Sequence, residues 1–205
     1  MLYEVQLDYS NYLQPSPHKI MDEYCDEPYI FQQVLYLCDP GPKKYVGDWK
    51  KVKIQLEPEG SNLLQADISG LMGKLFFSDK ALERLKKSST LKAFFEDSAS
   101  GELIEVFYEH NNQLKTGFFF NPLVTVESKG VTVDSLEDEY ANILSVSPRA
   151  EHFSELLFKT EENLTAVYCT ETFKAAIEEA KLTGLIFKPV ESQTSTVSII
   201  NAPEN

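Results

Sequence analysis

The chain has 205 residues, and its 32 Asp plus Glu outweigh 19 Lys plus Arg to leave a formal net charge of −13. A globule of this length buries about 70% of its extended surface, and a composition 42% hydrophobic and 12% aromatic excludes a disordered acidic polymer. The charge argues against nucleic acid and anionic membranes as partners and in favour of a basic one; acidity kept for solubility alone is the bland alternative.

The opening MLYEVQLDYSNYLQPSP carries no basic segment followed by an apolar run, and nowhere do about 18 apolar residues run uninterrupted. Cys25, Cys38 and Cys169 form no CxxC and are odd in number, so neither a disulfide framework nor a zinc ribbon is implied. A cytoplasmic protein with reduced thiols is the expectation.

Leu2 to Leu7 alternates Leu2, Glu4, Gln6 against Tyr3, Val5, Leu7, the pattern of a strand, and a Pro-containing segment from Asn11 to Pro17 breaks it. The acidic MDEYCDEP follows. IFQQVLYL, Ile30 to Leu37, then fits a buried strand and a short helix equally well. Asp39-Pro40-Gly41-Pro42 is a turn, and KVKIQLEP alternates Val52, Ile54 and Leu56 as a half-buried strand does.

After Gly73, KLFF reads as a short apolar strand. Ser78 is placed to cap a helix with Ala81, Leu82 and Leu85 on one face and Lys86 and Lys87 in its last turn. Glu102 to His110 and Leu114 to Phe120 are β-rich runs around Asn111-Asn112, a hairpin pattern. Asn121-Pro122 leads into LVTVES, and VTVD follows Gly130.

The same unit recurs near the end. Leu164 to Cys169 reads as a strand, Thr170 as a cap, and Phe173, Ala176, Ile177 and Ala180 stand at helical spacing facing a core. Gly184 is placed to end the helix in a left-handed conformation before LIF, a strand that Pro189 stops. Setting Phe76–Phe95 over Val167–Ile186 pairs Leu82 with Phe173, Leu91 with Leu182, and Phe94 and Phe95 with Leu185 and Ile186, a recurring strand-helix-strand unit. These stretches are scaffold.

Chemistry is harder to find. His18, His110 and His152 belong to no HxxH or Cys/His pair, and GLMGK has too few residues between its glycines for a phosphate loop and precedes a strand. No GxSxG is present. DSLEDEY, Asp134 to Tyr140, lacks the spacing and glycine of an EF-hand loop and reads as a solvated loop or a partner-binding face. PKKYVGDWKKVK sets Lys43, Lys44, Lys50, Lys51 and Lys53 around Tyr45 and Trp49. In a basic protein that pattern would suggest single-stranded nucleic acid; here it reads as a turn entering a strand, with Trp49 either buried or, if exposed, an interface anchor.

The order of "ADISGLMGKLFFSDKALERL", "GFFFNPLVTVES" with an acidic stretch, and "LLFKTEENLTAVYCTETFKAAIEEAKLTGLIFKPV" resembles the immunity proteins of bacterial polymorphic toxin systems. The likeness is to the eleventh immunity family, formerly an uncharacterised domain, or a sister immunity family. It covers Ala66 to Val190 and leaves the first 65 residues unmatched. It implies a protein that binds and neutralises a cognate toxin domain, and it brings no catalytic residues.

The reading is therefore a single α+β domain over residues 1–190, with a largely antiparallel sheet carrying two strand-helix-strand units, and a polar tail over 191–205. No catalytic, cofactor or metal residues are expected. Candidate toxin contacts are Asp22, Glu23, Asp26, Glu27, Trp49, Glu137, Asp138 and Glu139, facing a basic toxin. The alternatives are an accessory module of a secretion system, or an enzyme that reverses a toxin's modification with a site built from dispersed residues.

Overall fold

KLFFS and GFFFNP carry consecutive bulky apolar residues where a half-exposed strand would alternate, so both faces of their sheet must be covered. The architecture does this. The structure is a computed structural model and describes residues 1–57, 63–110, 113–126, 128–129, 147–148 and 155–190. The acidic run Asp134 to Tyr140, the VTVD segment and the tail after Val190 lie outside the described residues.

In chain order, β1 (Leu2–Leu7) and β2 (Tyr12–Pro15) precede α1 (Pro17–Tyr24) and α2 (Pro28–Cys38). Next come β3 (Lys53–Ile54), β4 (Leu56–Glu57), β5 (Leu64–Gln65), β6 (Ile68–Leu71) and β7 (Lys74–Ser78). The helices α3 (Asp79–Leu85) and α4 (Ser89–Glu96) lead to β8 (Gly101–His110), β9 (Gln113–Pro122), β10 (Thr125–Val126), β11 (Ser128–Lys129) and β12 (Ser147–Pro148). The chain closes with β13 (Leu157–Thr160), β14 (Val167–Thr170), α5 (Glu171–Glu179) and β15 (Leu185–Pro189).

Two mixed, largely antiparallel sheets dominate, ordered β3-β8-β9-β7-β6 and β10-β13-β14-β1-β15, with a small β4-β2-β5 sheet and a β11-β12 pair. The fold is α+β. In the first sheet the side chains alternate between two cores. Phe76, Ile104, Val106 and Phe119 pack with Ile20 of α1 and with Val34 and Leu37 of α2. On the other face Leu75, Phe77 and Phe120 meet α3, α4 and α5 together with Tyr3, Val5, Val167 and Cys169 of the second sheet. Both faces of KLFFS are therefore buried, which is why that run shows no polar alternation.

Several local expectations hold. Ser78 accepts a hydrogen bond from the Ala81 amide at 3.2 Å and caps α3. Phe173 and Ile177 are buried, with Ala176 and Ala180 packed beside them. Met72 and Gly73, both with positive φ, form the tight turn between β6 and β7, so GLMGK is a hairpin.

One open reading is settled and others are corrected. IFQQVLYL is helical, because Val34 and Leu37 bury one face while Gln32 and Leu35 stay exposed. KVKIQLEP breaks at Gln55 into β3 and β4, which join different sheets. The partners of Leu182, Leu185 and Ile186 in the first unit sit on the extra helix α4, capped by Ser88, so the first unit returns as a strand only at β8. Thr170 makes no side-chain cap, and its buried Oγ1 has no partner.

The left-handed residue that ends α5 is Lys181 (φ 51°). Its amide bonds to Glu178 O at 3.0 Å, and the Leu182 amide bonds to Ile177 O at 3.1 Å. Gly184 (φ 105°) serves a different end: a Cβ there would strike the Ile68 carbonyl oxygen where the chain crosses β6. Beside it Asp67 accepts from the Thr183 amide at 3.1 Å and the Thr183 hydroxyl at 3.0 Å.

Candidate functional site

The connection from Asp39 to Val52 contains no helix or strand. Loops longer than about 12 residues without structure of their own are uncommon in compact domains and are usually functional or disordered. This one is fixed. At its start Asp39 Oδ1 accepts from the Gly41 amide at 2.8 Å, which, ahead of the nearby lysines, holds the carboxyl below its usual range.

The fixing comes from beneath, from four strands in two sheets. Lys74 of β7 donates from Nζ to the Asp39 carbonyl. Lys159 of β13 donates to the next carbonyl, Pro40, at 2.8 Å and to Asn121 Oδ1 at 2.9 Å. Asn121 of β9 donates from Nδ2 to Lys43 O at 2.9 Å, to Gly41 O at 3.4 Å and to the Tyr36 hydroxyl at 3.2 Å. Glu102 of β8, directly opposite Asn121 in the ladder, accepts from the Tyr36 hydroxyl and, at 3.0 Å, from the Tyr45 amide.

Lys74 is 1% exposed, and Lys159 and Asn121 are 0% exposed. Charged amines at such depth are costly unless compensated. Burial pushes Lys74 down to about 8, partly offset by the carboxylate of Asp39. It pushes Lys159 down to about 7, where the neighbouring charge of Lys74 adds to the effect. Burial, and then the bond to Glu102, push the Tyr36 hydroxyl above its ordinary range. The cluster thus holds Lys159 partly unprotonated near neutral pH while Lys74 keeps its proton, both sealed from solvent by the loop they support.

Above the cluster the loop is packed by aromatic rings. Tyr45 lies 5.2 Å from Trp49 and 5.3 Å from Tyr36, centroid to centroid, and Trp49 Nε1 donates to Glu105 O at 2.7 Å. Trp49 is half-buried and anchors the loop. Asp48 O accepts from Tyr29 at 3.0 Å and Gln33 at 2.9 Å, tying the loop to the start of α2. Val46, at the outer turn, is 92% exposed.

Asp22, Glu23, Asp26 and Glu27 are all exposed at the α1–α2 corner. Glu23 accepts from Gln55 at 2.9 Å; Asp22, Asp26 and Glu27 have no ion-pair partner among the described residues. The Tyr29–Asp48 bond brings this corner and the Trp49 loop together, and exposed Lys43, Lys44 and Lys50 make the combined face mixed in sign. Glu137, Asp138 and Glu139 lie outside the described residues. Lys74, Lys159 and Asn121 were missed from the sequence; the available signal was a polar residue set directly against a bulky apolar run in GKLFF, LLFKT and FFFNP.

Grooves among the described residues lie elsewhere. One of about 580 Å³ is lined by Gln65, Asp67, Asp79, Lys80, Tyr108 and Lys115; another of about 260 Å³ is lined by Tyr9, Gln14, Ser16, His18, Glu57 and Met72. Among the described residues no group of three or more His, Cys, Asp or Glu is placed to hold a metal, and no helix is long and apolar enough to cross a membrane. The chain matches no family model and no curated protein.

Proposed function

We propose that the protein is a cytoplasmic immunity protein that binds a cognate bacterial toxin domain one-to-one and blocks it. The contact face is the loop Asp39–Val52 together with the acidic α1–α2 corner. The observation that carries this reading is the clamping of an exposed, irregular loop by buried Lys74, Lys159 and Asn121 from below. A loop ordered before binding loses little entropy on association, so its contacts convert more fully into affinity.

The surface above the clamp fits a protein partner. Val46 and half-exposed Tyr29 offer apolar contact, and the unpaired carboxylates beside them would steer a basic toxin and speed encounter. The resemblance over Ala66 to Val190 gives that partner its class.

The test is growth of a susceptible cell expressing the C-terminal toxin domain encoded beside this gene, with and without the protein, followed by co-purification. Rescue with a one-to-one complex supports the proposal. A toxic neighbour that is neither bound nor neutralised rules it out, and protection at substoichiometric amounts would favour an enzyme that reverses the toxin's modification.

A further inference from the structure

We infer that the Lys159 side-chain amine and the Asn121 carboxamide join in an intramolecular isopeptide bond, a covalent staple between β13 and β9 that forms without a cofactor once the chain has folded. The inference does not rest on the toxin-binding reading, and in the linked form the covalent bond replaces the loop contacts that Asn121 Nδ2 makes to Lys43 O and Gly41 O.

The geometry sets the amine against the carboxamide it would attack. Lys159 Nζ lies 2.9 Å from Asn121 Oδ1, and a carbonyl bond of about 1.2 Å then leaves Nζ no more than about 4.1 Å from Cγ. Near-attack arrangements place reacting atoms about 3–3.5 Å apart, and holding them there substitutes for a large entropic barrier. The carboxamide orientation follows from its neighbours: the carbonyls of Lys43 and Gly41 only accept, so Nδ2 must face them and Oδ1 must face the amine.

The surroundings supply the rest. Both side chains are fully buried and sit next in sequence to Phe120 and Phe158, themselves fully buried, so bulk water does not compete for Cγ. With its pKa near 7, the amine is substantially the free base, the nucleophilic form, at neutral pH. The departing nitrogen is held in place: Nδ2 donates to the Tyr36 hydroxyl at 3.2 Å, and that hydroxyl in turn donates to the carboxylate of Glu102.

The step balances without oxidant or reductant. Nζ attacks Cγ and forms the new C–N bond, the proton that Nζ sheds passes to Nδ2, and the Cγ–Nδ2 bond breaks to release ammonia. Tyr36, which holds Nδ2, and Glu102, which holds the Tyr36 hydroxyl, are positioning residues for this step.

The experiment is intact-mass spectrometry of the purified full chain after denaturation, with peptide mapping of the segments around Asn121 and Lys159. The expected result is a mass lower than that of the sequence by one ammonia, with the two segments recovered as one branched peptide. Asn121→Ala should have its full sequence mass, and Tyr36→Phe should accumulate the unlinked form, with the linked fraction rising on incubation more slowly than in wild type. A wild-type chain shown to be folded by cooperative unfolding, yet at full mass with both peptides separate, overturns the inference. Ammonia loss that persists in Asn121→Ala overturns it as well.

Discussion

Lys74 and Lys159 come from different sheets yet donate to successive carbonyls of one turn, Asp39 and Pro40. Two fully buried amines are thereby placed within electrostatic reach of each other, and the exposed loop between α2 and β3 is locked to the core. Its stability, its titration and its availability as a binding face all depend on this arrangement.

The clamp should be costly to remove. Lys159→Met keeps bulk and deletes the donor, leaving Pro40 O and Asn121 Oδ1 without their partner. At about 1–3 kcal/mol for each unsatisfied buried acceptor, urea unfolding should show a loss of several kcal/mol. A loss under about 0.5 kcal/mol, the usual range for an exposed site, would mean that the amine is not holding the loop.

Lys74 should leave a pH signature. Its folded-state value, about 8, lies below the ordinary 10.5, so between those values the unfolded chain binds a proton that the folded chain does not. Stability therefore rises with pH across that window, by up to about 1.4 kcal/mol per pH unit. Below about 8 both states carry the proton and this contribution is flat. Above pH 10 the raised Tyr36 opposes it, because the unfolded tyrosine ionises first. A free Lys159 amine, at about 7, adds a slope of the same sign, so unfolding measured between pH 8 and 9.5 should show the rise in the wild type and a clearly shallower one in Lys74→Met.

Gly184→Ala tests the crossing over β6. The positive φ and the collision of a Cβ with the Ile68 carbonyl oxygen act together, so a loss of about 2 kcal/mol or more is expected in thermal or urea unfolding. The Asp67–Thr183 bonds beside it should weaken at the same time.

The paired turns and periodicities near residues 66–85 and 164–190 made most of this scaffold legible. A capped helix after an apolar strand is a local pattern, and Ser78, Ala81, Leu82 and Leu85 behave as their spacing implies. Thr170 failed as a cap although its residue type suits one, because its hydroxyl is buried beside β1 and β13 without a partner. IFQQVLYL could not be assigned, since an apolar run of that length suits either structure until α1 and the first sheet are seen to cover one face. The lysine–asparagine cluster was illegible for a different reason: it joins residues from four strands and a turn, and no spacing in the chain records such a meeting.

At the proposed binding face, Asp26→Lys with Glu27→Lys should slow association with the proposed basic toxin and flatten its salt dependence while leaving unfolding stability within about 0.5 kcal/mol, because both side chains are exposed. Val46→Glu should mainly speed dissociation. Stopped-flow or surface-binding kinetics at two ionic strengths separates the effects, and unchanged kinetics in both variants removes this face from the interface.

The most direct measurement is a titration of the isolated toxin domain's activity against this protein, with the complex weighed by light scattering. Blockade by binding predicts that activity falls linearly and reaches its floor at one equivalent, where a one-to-one complex is the main species. Loss of toxicity at a small fraction of an equivalent, or full activity in the presence of excess protein with no complex formed, would contradict it.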